Sequence, residues 1–479
     1  MSRTRFSVAS AKGQENLAIL AQAITTMKQL EPTNPLSWEY QAALHGTNNP
    51  ALVNAPFVNG CPHYNQAGAD TGKFFLVWHR LALYHFEEAI RSISGRQDFT
   101  LPYWDVTDPN QRTIPKAFLS VDNGGLPGLY DPDRGKTLTD PTKPVLNLND
   151  GKTILPSSER YDPALKELSQ VANSGYELFN QAIDHAPHGG PHIDINGKML
   201  DFKTAALEPL FWVHHCNIDR LWAEYSKDAV DPQQFSKLTP GMTFGFFDQK
   251  GQPVTYSYEA AAKAIYNLDY DYDTGANTLK PASGPGSSKT TQPIHNKSFN
   301  QKLSSLSGKK LTLQRSPALF RPWTLPGSSN NRSSSRTILG VTLKSCHSTT
   351  GHIDILIGGP NEPNFDAVTN IPFKQLKQRD QGNFLDQHFA GTVNLLAHTN
   401  DPSMAMPNSR TNFRWLSTLN PKACEDMQSY LFDITDELAA SNTSATAPLS
   451  ISFNIDPEQN NPGALNNVIL SSLSVYNLV

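Results

Sequence analysis

Nine of the 14 histidines in this 479-residue chain fall before residue 220, at positions 45, 63, 79, 85, 185, 188, 192, 214 and 215. Neutral imidazole ligates copper, zinc, iron or nickel, so metal chemistry is the first function to consider. The motif PHGGPH sets His188 and His192 four residues apart, which on a helix places both rings on one face. About twenty residues later, EPLFWVHHCNIDRLW offers His215 as a third ligand. Asp219 follows one turn on, where a carboxylate accepts a hydrogen bond and fixes the helix, as carboxylates behind metal ligands do. An isolated H-x3-H pair also occurs on ordinary helices, and the HH-x3-D-R segment is what lifts this one above that background.

A second group comprises His45, His63 and His79. His79 and Arg80 sit inside FFLVWHRLALYHFE, a segment apolar nearly all round. A buried imidazole and guanidinium must be ligated or paired; the plainer alternative is that neighbouring carbonyls or Glu87 satisfy them. Two sets of three histidines on helices of one bundle describe a dinuclear centre in the bundle core. Neither set contains a carboxylate, which argues against di-iron and di-manganese, and no cysteine pair suggests structural zinc. Copper is the natural occupant.

Helices must position these residues. Residues 14–44 carry an amphipathic pattern with Leu17, Leu20, Ile24 and Met27 on one face, and 73–94 read as a helix buried within a bundle. TLPYWD (100–105) is aromatic and proline-bounded, 106–160 are rich in loop residues, and helical character returns at 163–185 and 205–228. The composition changes at 274–310, where TGANTLKPASGPGSSKTTQP reads as a linker. Beyond it lie short β-type runs: RTILGVTL, HIDILIGG, AGTVNLLAH, LSISFNI and NNVILSSLSVYNLV. The expected fold is a mainly α N-terminal domain (1–275), a helical bundle holding the metals, then a linker (276–310). A smaller C-terminal β-sandwich or jelly-roll-like domain (311–479) completes it.

Net charge is −4 and no basic stripe occurs, which speaks against a nucleic-acid partner. The first residues lack the apolar core of a signal peptide, and no run reaches the roughly 18 apolar residues of a membrane span. Cys61, Cys216, Cys346 and Cys424 are scattered, so no disulfide framework is indicated. The expectation is a cytoplasmic or otherwise soluble protein without a membrane partner; the sequence does not indicate its oligomeric state.

FFLVWHR, LPYWD and EPLFWVHHCNIDRLW resemble the copper-binding signatures of the tyrosinase, catechol oxidase and mollusc haemocyanin superfamily, the type 3 copper proteins. The resemblance spans roughly 35–275. It implies two copper ions as cofactor, O2 as co-substrate and a small phenolic substrate. The implied activity is oxidation of o-diphenols to o-quinones, with ortho-hydroxylation of monophenols in the tyrosinases. A haemocyanin-like oxygen-binding protein and an o-aminophenol oxidase are the alternatives. The resemblance assigns His45, His63 and His79 to the first copper and His188, His192 and His215 to the second, leaving out His214. It makes Phe211 the aromatic over the second copper, and LDYDYD (268–273) the tyrosine motif that closes the catalytic domain. The C-terminal β domain would shield the site, as in latent polyphenol oxidases, with a cleavage site in the linker.

Five positions depart from the pattern or qualify it. Glu208 stands where the family has Asp before Pro209. The second histidine of the first site normally lies nine residues before the WHR histidine, at a position occupied here by Asp70. Either CPH (61–63) begins the motif and an insertion follows, or Asp70 replaces the ligand. Cys61 is then either a thioether partner of His63 or an ordinary buried cysteine. Gly189, where an Asn is associated with hydroxylation, and Phe202, where a bulky residue overhangs the first copper, both tilt towards diphenol oxidation. Asp184 and Glu177 are the candidates for holding the phenol proton.

Overall fold

The computed structural model describes residues 3–62, 74–136, 146–172, 176–226, 230, 243–274, 295–306, 310–313, 336–345, 351–358, 371–379, 383–395, 426–440, 447–455 and 468–478. The chain opens with strand β1 (Arg3–Arg5) and helix α1 (Ala11–Met27), started by Ser10, whose hydroxyl accepts from the Gly13 N–H at 3.0 Å. The single amphipathic segment expected over 14–44 is two helices. Pro32 and Pro35 interrupt it, and Ser37 caps a new start for α2 (Trp38–His45).

Helix α3 (Phe75–Ser94) ends at Gly95 in the left-handed conformation (φ 69°). Nearly every side chain from Phe75 to Arg91 is buried, as its apolar circumference predicts. After α3, LPYWD passes behind the core: the Trp104 N–H donates to the Val213 carbonyl at 3.0 Å, and the Leu101 N–H to Glu87 Oε1 at 2.7 Å.

The helical stretch expected over 163–185 divides into α4 (Tyr161–Val171) and α5 (Tyr176–Ile183). A wide π-type turn over Asp184–Gly189 then leads into α6 (Gly190–Ile195). Helix α7 (Pro209–Tyr225) begins with proline at its first position, and the Glu208 carboxylate accepts from the Leu210 N–H at 3.2 Å. A hairpin of β2 (Thr243–Phe247) and β3 (Pro253–Ser257), helix α8 (Tyr258–Ala264) and β4 (Tyr270–Tyr272) complete this part. Strand β4 pairs in parallel with β1. Two apolar clusters fill it, one centred on α1, α3 and α7 and the other on α2, α3, α5 and α8.

The remainder is mainly strand. One four-stranded sheet has the order β10–β7–β12–β5, made of β5 (His295–Lys302), β7 (Arg336–Ser345), β10 (Asp426–Asp433) and β12 (Ile469–Leu478). The other has the order β6–β11–β8–β9, made of β6 (Leu311–Leu313), β8 (Gly351–Gly358), β9 (Phe389–Leu395) and β11 (Leu449–Asn454). Short helices α9 (Phe373–Gln378), α10 (Asn383–His388) and α11 (Thr435–Ala440) connect strands. Val341, Ile353, Ile355, Val393, Phe432, Phe453 and Leu473, drawn from both sheets, share one apolar cluster.

The expected linker extends to residue 310, yet His295–Lys302 are a sheet strand paired with β12. Their polar composition hides a pairing that only the last strand of the chain reveals. Among the described residues, no helix is long and apolar enough to cross a membrane.

Candidate metal centre

Four elements bring the histidines together. His45 is the last residue of α2, His79 lies one turn into α3, His188 and His192 flank the entry to α6, and His215 lies in the second turn of α7. All five are buried. The His79 and His215 rings stack with centroids 4.4 Å apart, and His188 lies 4.7 Å from His192 and 4.9 Å from His215. Among the described residues, the side chains that could hold a metal fall into two groups, His45–Cys61–His79 and His188–His192–His214–His215.

Backbone carbonyls set which nitrogen faces inward. His45 Nδ1 lies 3.0 Å from the Phe202 carbonyl, His79 Nδ1 2.8 Å from Phe75, and His192 Nδ1 2.7 Å from Met199. Only a protonated Nδ1 makes these bonds, so each ring directs an Nε2 lone pair towards the centre, the tautomer that metal ligation requires. Asp184 Oδ1 stands 2.7 Å from His188 Nδ1 and favours the same arrangement there. Burial holds the rings neutral: the pKa falls to about 3 for His79 and about 4 for His192, and well below the usual value for His215. His214 belongs to the second group by position, but its Nε2 meets the His188 carbonyl at 3.1 Å, which leaves only Nδ1 for a metal.

The first site is described only in part. His63 and Asp70 both lie outside the described residues. Cys61, considered as a thioether partner of His63, has its Sγ 3.6 Å from His79 Nε2 and so borders the first group directly. Phe202 packs on His45 with centroids 4.5 Å apart, and Phe211 lies 4.1 Å from His215 and 4.8 Å from His45. With Phe75, 4.6 Å from His188, these rings give the centre an apolar wall. The side chain of Glu177 lies outside the described residues.

Behind the histidines lies a charged lattice that sequence inspection catches only in part. Asp219, expected as a hydrogen-bond acceptor, receives Arg80 Nη1 at 2.8 Å, Arg5 Nη1 at 3.0 Å, Tyr270 Oη at 2.7 Å and Tyr272 Oη at 2.5 Å. Burial would raise this carboxyl, but Arg80 and Arg5 outweigh it and hold Asp219 below its usual range. Arg80 therefore pairs with Asp219, and Glu87 takes Arg5 instead, at 2.8 Å. Arg5 escapes a reading of the sequence because a three-residue strand at the chain start carries no periodic signal. The same lattice explains the tyrosines of LDYDYD, which close on Asp219. At the head of α7, Glu208 forks onto Arg134 at 2.7 and 3.1 Å, a reach that suits the longer carboxylate found here. Cys216 packs behind, its thiol donating to the Leu101 carbonyl at 3.3 Å.

The β-rich part bears directly on this region. Arg160 Nε and Nη2 donate to Asp354 Oδ1 and Oδ2 at 2.9 and 2.8 Å, with both side chains fully buried. Arg160 also lies 4.4 Å above the Phe373 ring, and Lys377 pairs with Glu159 at 2.7 Å. Asn394 of β9 sits against Gly189, bonded to His352 Nδ1 at 2.5 Å.

Comparison with known proteins agrees with this geometry. Residues 35–228 match the common central domain of tyrosinase. The chain is 31% identical over 300 residues to tyrosinase HcTyr1 of Hahella sp. (strain CCB-MM4), a match covering 53% of this chain and 59% of that one. It spans about half the length of the curated relatives it matches. In fold it is similar to a latent aurone synthase (polyphenol oxidase), with TM-score 0.65 at 16% identity over 100% of this chain and 90% of the other. It is likewise similar to latent apple tyrosinase, with TM-score 0.60 at 17% identity over 100% and 97%. The segment that matches this tyrosinase domain is the one in which the buried histidines converge as described.

Proposed function

We propose that this protein is a copper-dependent polyphenol oxidase that uses O2 to oxidise o-diphenols to o-quinones. The observation that carries the reading is the convergence of His45, His79, His188, His192 and His215, all buried. In His45, His79 and His192 a backbone carbonyl holds Nδ1, so that Nε2 faces inward. An all-imidazole donor set fits copper better than a hard, oxygen-seeking ion. His45, His79 and His63 would hold one copper, with Asp70 the alternative to His63; His188, His192 and His215 would hold the other. Bound there, the pair of ions supplies the two-electron chemistry with O2 that removes two electrons and two protons from a diphenol.

The chain's own residues do the rest. Phe202, Phe211 and Phe75 form an apolar wall against which a phenol ring lies and from which bulk water is excluded. Asp184 stands 2.7 Å from His188 Nδ1, behind the nitrogen that would face the metal, and is the candidate base on this side of the centre. With Gly189 offering no side chain and Phe202 lying over His45, diphenols are the favoured substrates over monophenols. The relatives are named tyrosinases and polyphenol oxidases, which favours oxidation over reversible oxygen carriage. We assign residues 1–275 to the catalytic domain, and the strands from His295 onward to a β-sandwich that covers it.

The test is copper content per chain together with catechol-dependent O2 uptake. Two coppers and turnover are expected. One copper, or two coppers without turnover of any phenol, would overturn the reading.

A further inference from the structure

The backbone at Gly189 has φ −67° and ψ −30°, a helical conformation open to every residue, so its geometry does not call for glycine. The space around it does. A Cβ at 189 would stand 2.6 Å from Asn394 Cβ, 3.1 Å from its Cγ and 3.2 Å from its Nδ2. The Cβ of Asn394 is fixed to the β9 backbone, so no rotation of the side chain relieves a contact that short. Glycine here allows two segments to approach closely, and those segments belong to different parts of the molecule.

The face of the sheet that arrives at Gly189 is built for the purpose. In the β8–β9 pair, His352 stands opposite Asn394 and Asp354 opposite Thr392. Their alternate neighbours Ile353, Ile355 and Val393 enter the β core. His352, Asp354, Thr392 and Asn394 therefore share the other face, and all are buried. Asp354 forks onto Arg160 and also accepts Thr392 Oγ1 at 2.7 Å and Asn454 Nδ2 at 3.2 Å. Asn394 keeps a buried Nδ2 with no hydrogen-bond partner, adjacent to the residue that follows His188.

We propose that Gly189 is the seat on which the β part docks over the dinuclear site, with Asn394 as the residue that fills it and Arg160–Asp354 as its clamp. The identity of residue 189 thus sets how far the site stays covered, in addition to any effect on the substrate ring. The catalytic consequence rests on the oxidase reading; the docking itself does not.

The experiment compares the full chain with Gly189→Ala and with the pair Gly189→Ala/Asn394→Gly. Hydroxyl-radical footprinting reports exposure of His352 and Phe373, and catechol oxidation is followed in parallel. In Gly189→Ala, oxidation of both reporters should rise about tenfold, as a closed interface opens. Catechol turnover at low substrate should rise with it. Removing the obstructing side chain in the pair should restore the wild-type footprint. Unchanged reporters in Gly189→Ala, or a rise the second substitution fails to reverse, would overturn the proposal. Should Gly189→Ala not fold, the pair carries the test, and its failure to fold would overturn the proposal equally. A footprint that opens and recloses as expected, in a protein that oxidises no phenol, would support the seat while sinking the oxidase reading.

Discussion

The Nε2 atoms of His192 and His215 face each other 3.2 Å apart, both rings buried. His192 spends its one ring proton on the Met199 carbonyl, so the nitrogen turned towards His215 is a lone pair. Two neutral rings in this position gain from a shared cation. His192→Ala and His215→Ala should each lower copper content from two ions per chain to one and reduce phenol oxidation to background. His214→Ala should keep both coppers, because that ring's Nε2 is committed to the His188 carbonyl. Metal analysis of the purified variants decides this, and loss of copper in His214→Ala would place that ring among the ligands.

The ion pairs behind the ligands make a different prediction. Asp219 meets two guanidiniums, those of Arg80 and Arg5, with no access to water. Asp219→Ala would leave both charges buried without that partner, at a cost of about 3–5 kcal/mol. Asp219→Asn keeps the shape and part of the hydrogen bonding, so a smaller loss is expected. Urea unfolding of the copper-free protein measures both, and equal losses would mean that shape, not charge, is what Asp219 supplies.

How much of this could be read from the sequence follows from the range of each signal. Histidine spacing is local, and His188, His192 and His215 lie close together, although His188 sits in the π-type turn ahead of α6 and not on one regular helix with His192. The break at Pro32 depends on turn chemistry that a pattern of apolar residues hides, so helix limits shift. Arg5, Asn394 and Asp354 reach the region across 82 residues or more of chain, and nothing local marks them. One signal was available: HIDILIGG alternates polar and apolar residues, as a strand with one wet face does. His352 and Asp354 are instead buried, because that face meets Arg160 and Gly189 rather than water.

The Arg160–Asp354 clamp should behave as a coupled pair. Either Arg160→Ala or Asp354→Ala leaves a fully buried charge without its partner, so each alone should destabilise the chain by about 3–5 kcal/mol. The double variant should cost less than the sum, since neither charge then remains. A double-mutant cycle in thermal or urea unfolding measures the coupling. Additive losses would show that the two side chains contribute independently and do not clamp the parts together.

Part of the acid sensitivity should trace to His352, alongside the buried histidines of the centre. Burial first, and then the Arg160 charge, push its pKa down from 6.5 to about 3, against smaller opposing effects of the Asn394 hydrogen bond and the Asp354 charge. The folded protein therefore binds fewer protons at this ring than the unfolded chain does between those two values. Its contribution to stability is complete above pH 6.5 and is lost as pH falls towards 3, at roughly 1.4 kcal/mol for each step of one in pH. Asp194, 4.0 Å from His352 Nε2, acts in the opposite sense: burial raises its carboxyl to about 7, so its contribution is lost as pH rises. The two partly cancel in the wild type, and only a comparison isolates the histidine. His352→Gln keeps an amide that can bond Asn394 but cannot titrate. Unfolding free energies of the two proteins should converge, or cross in favour of the variant, as pH is lowered from about 7 to about 4. Parallel curves over that interval would mean that protonation of His352 is not linked to unfolding.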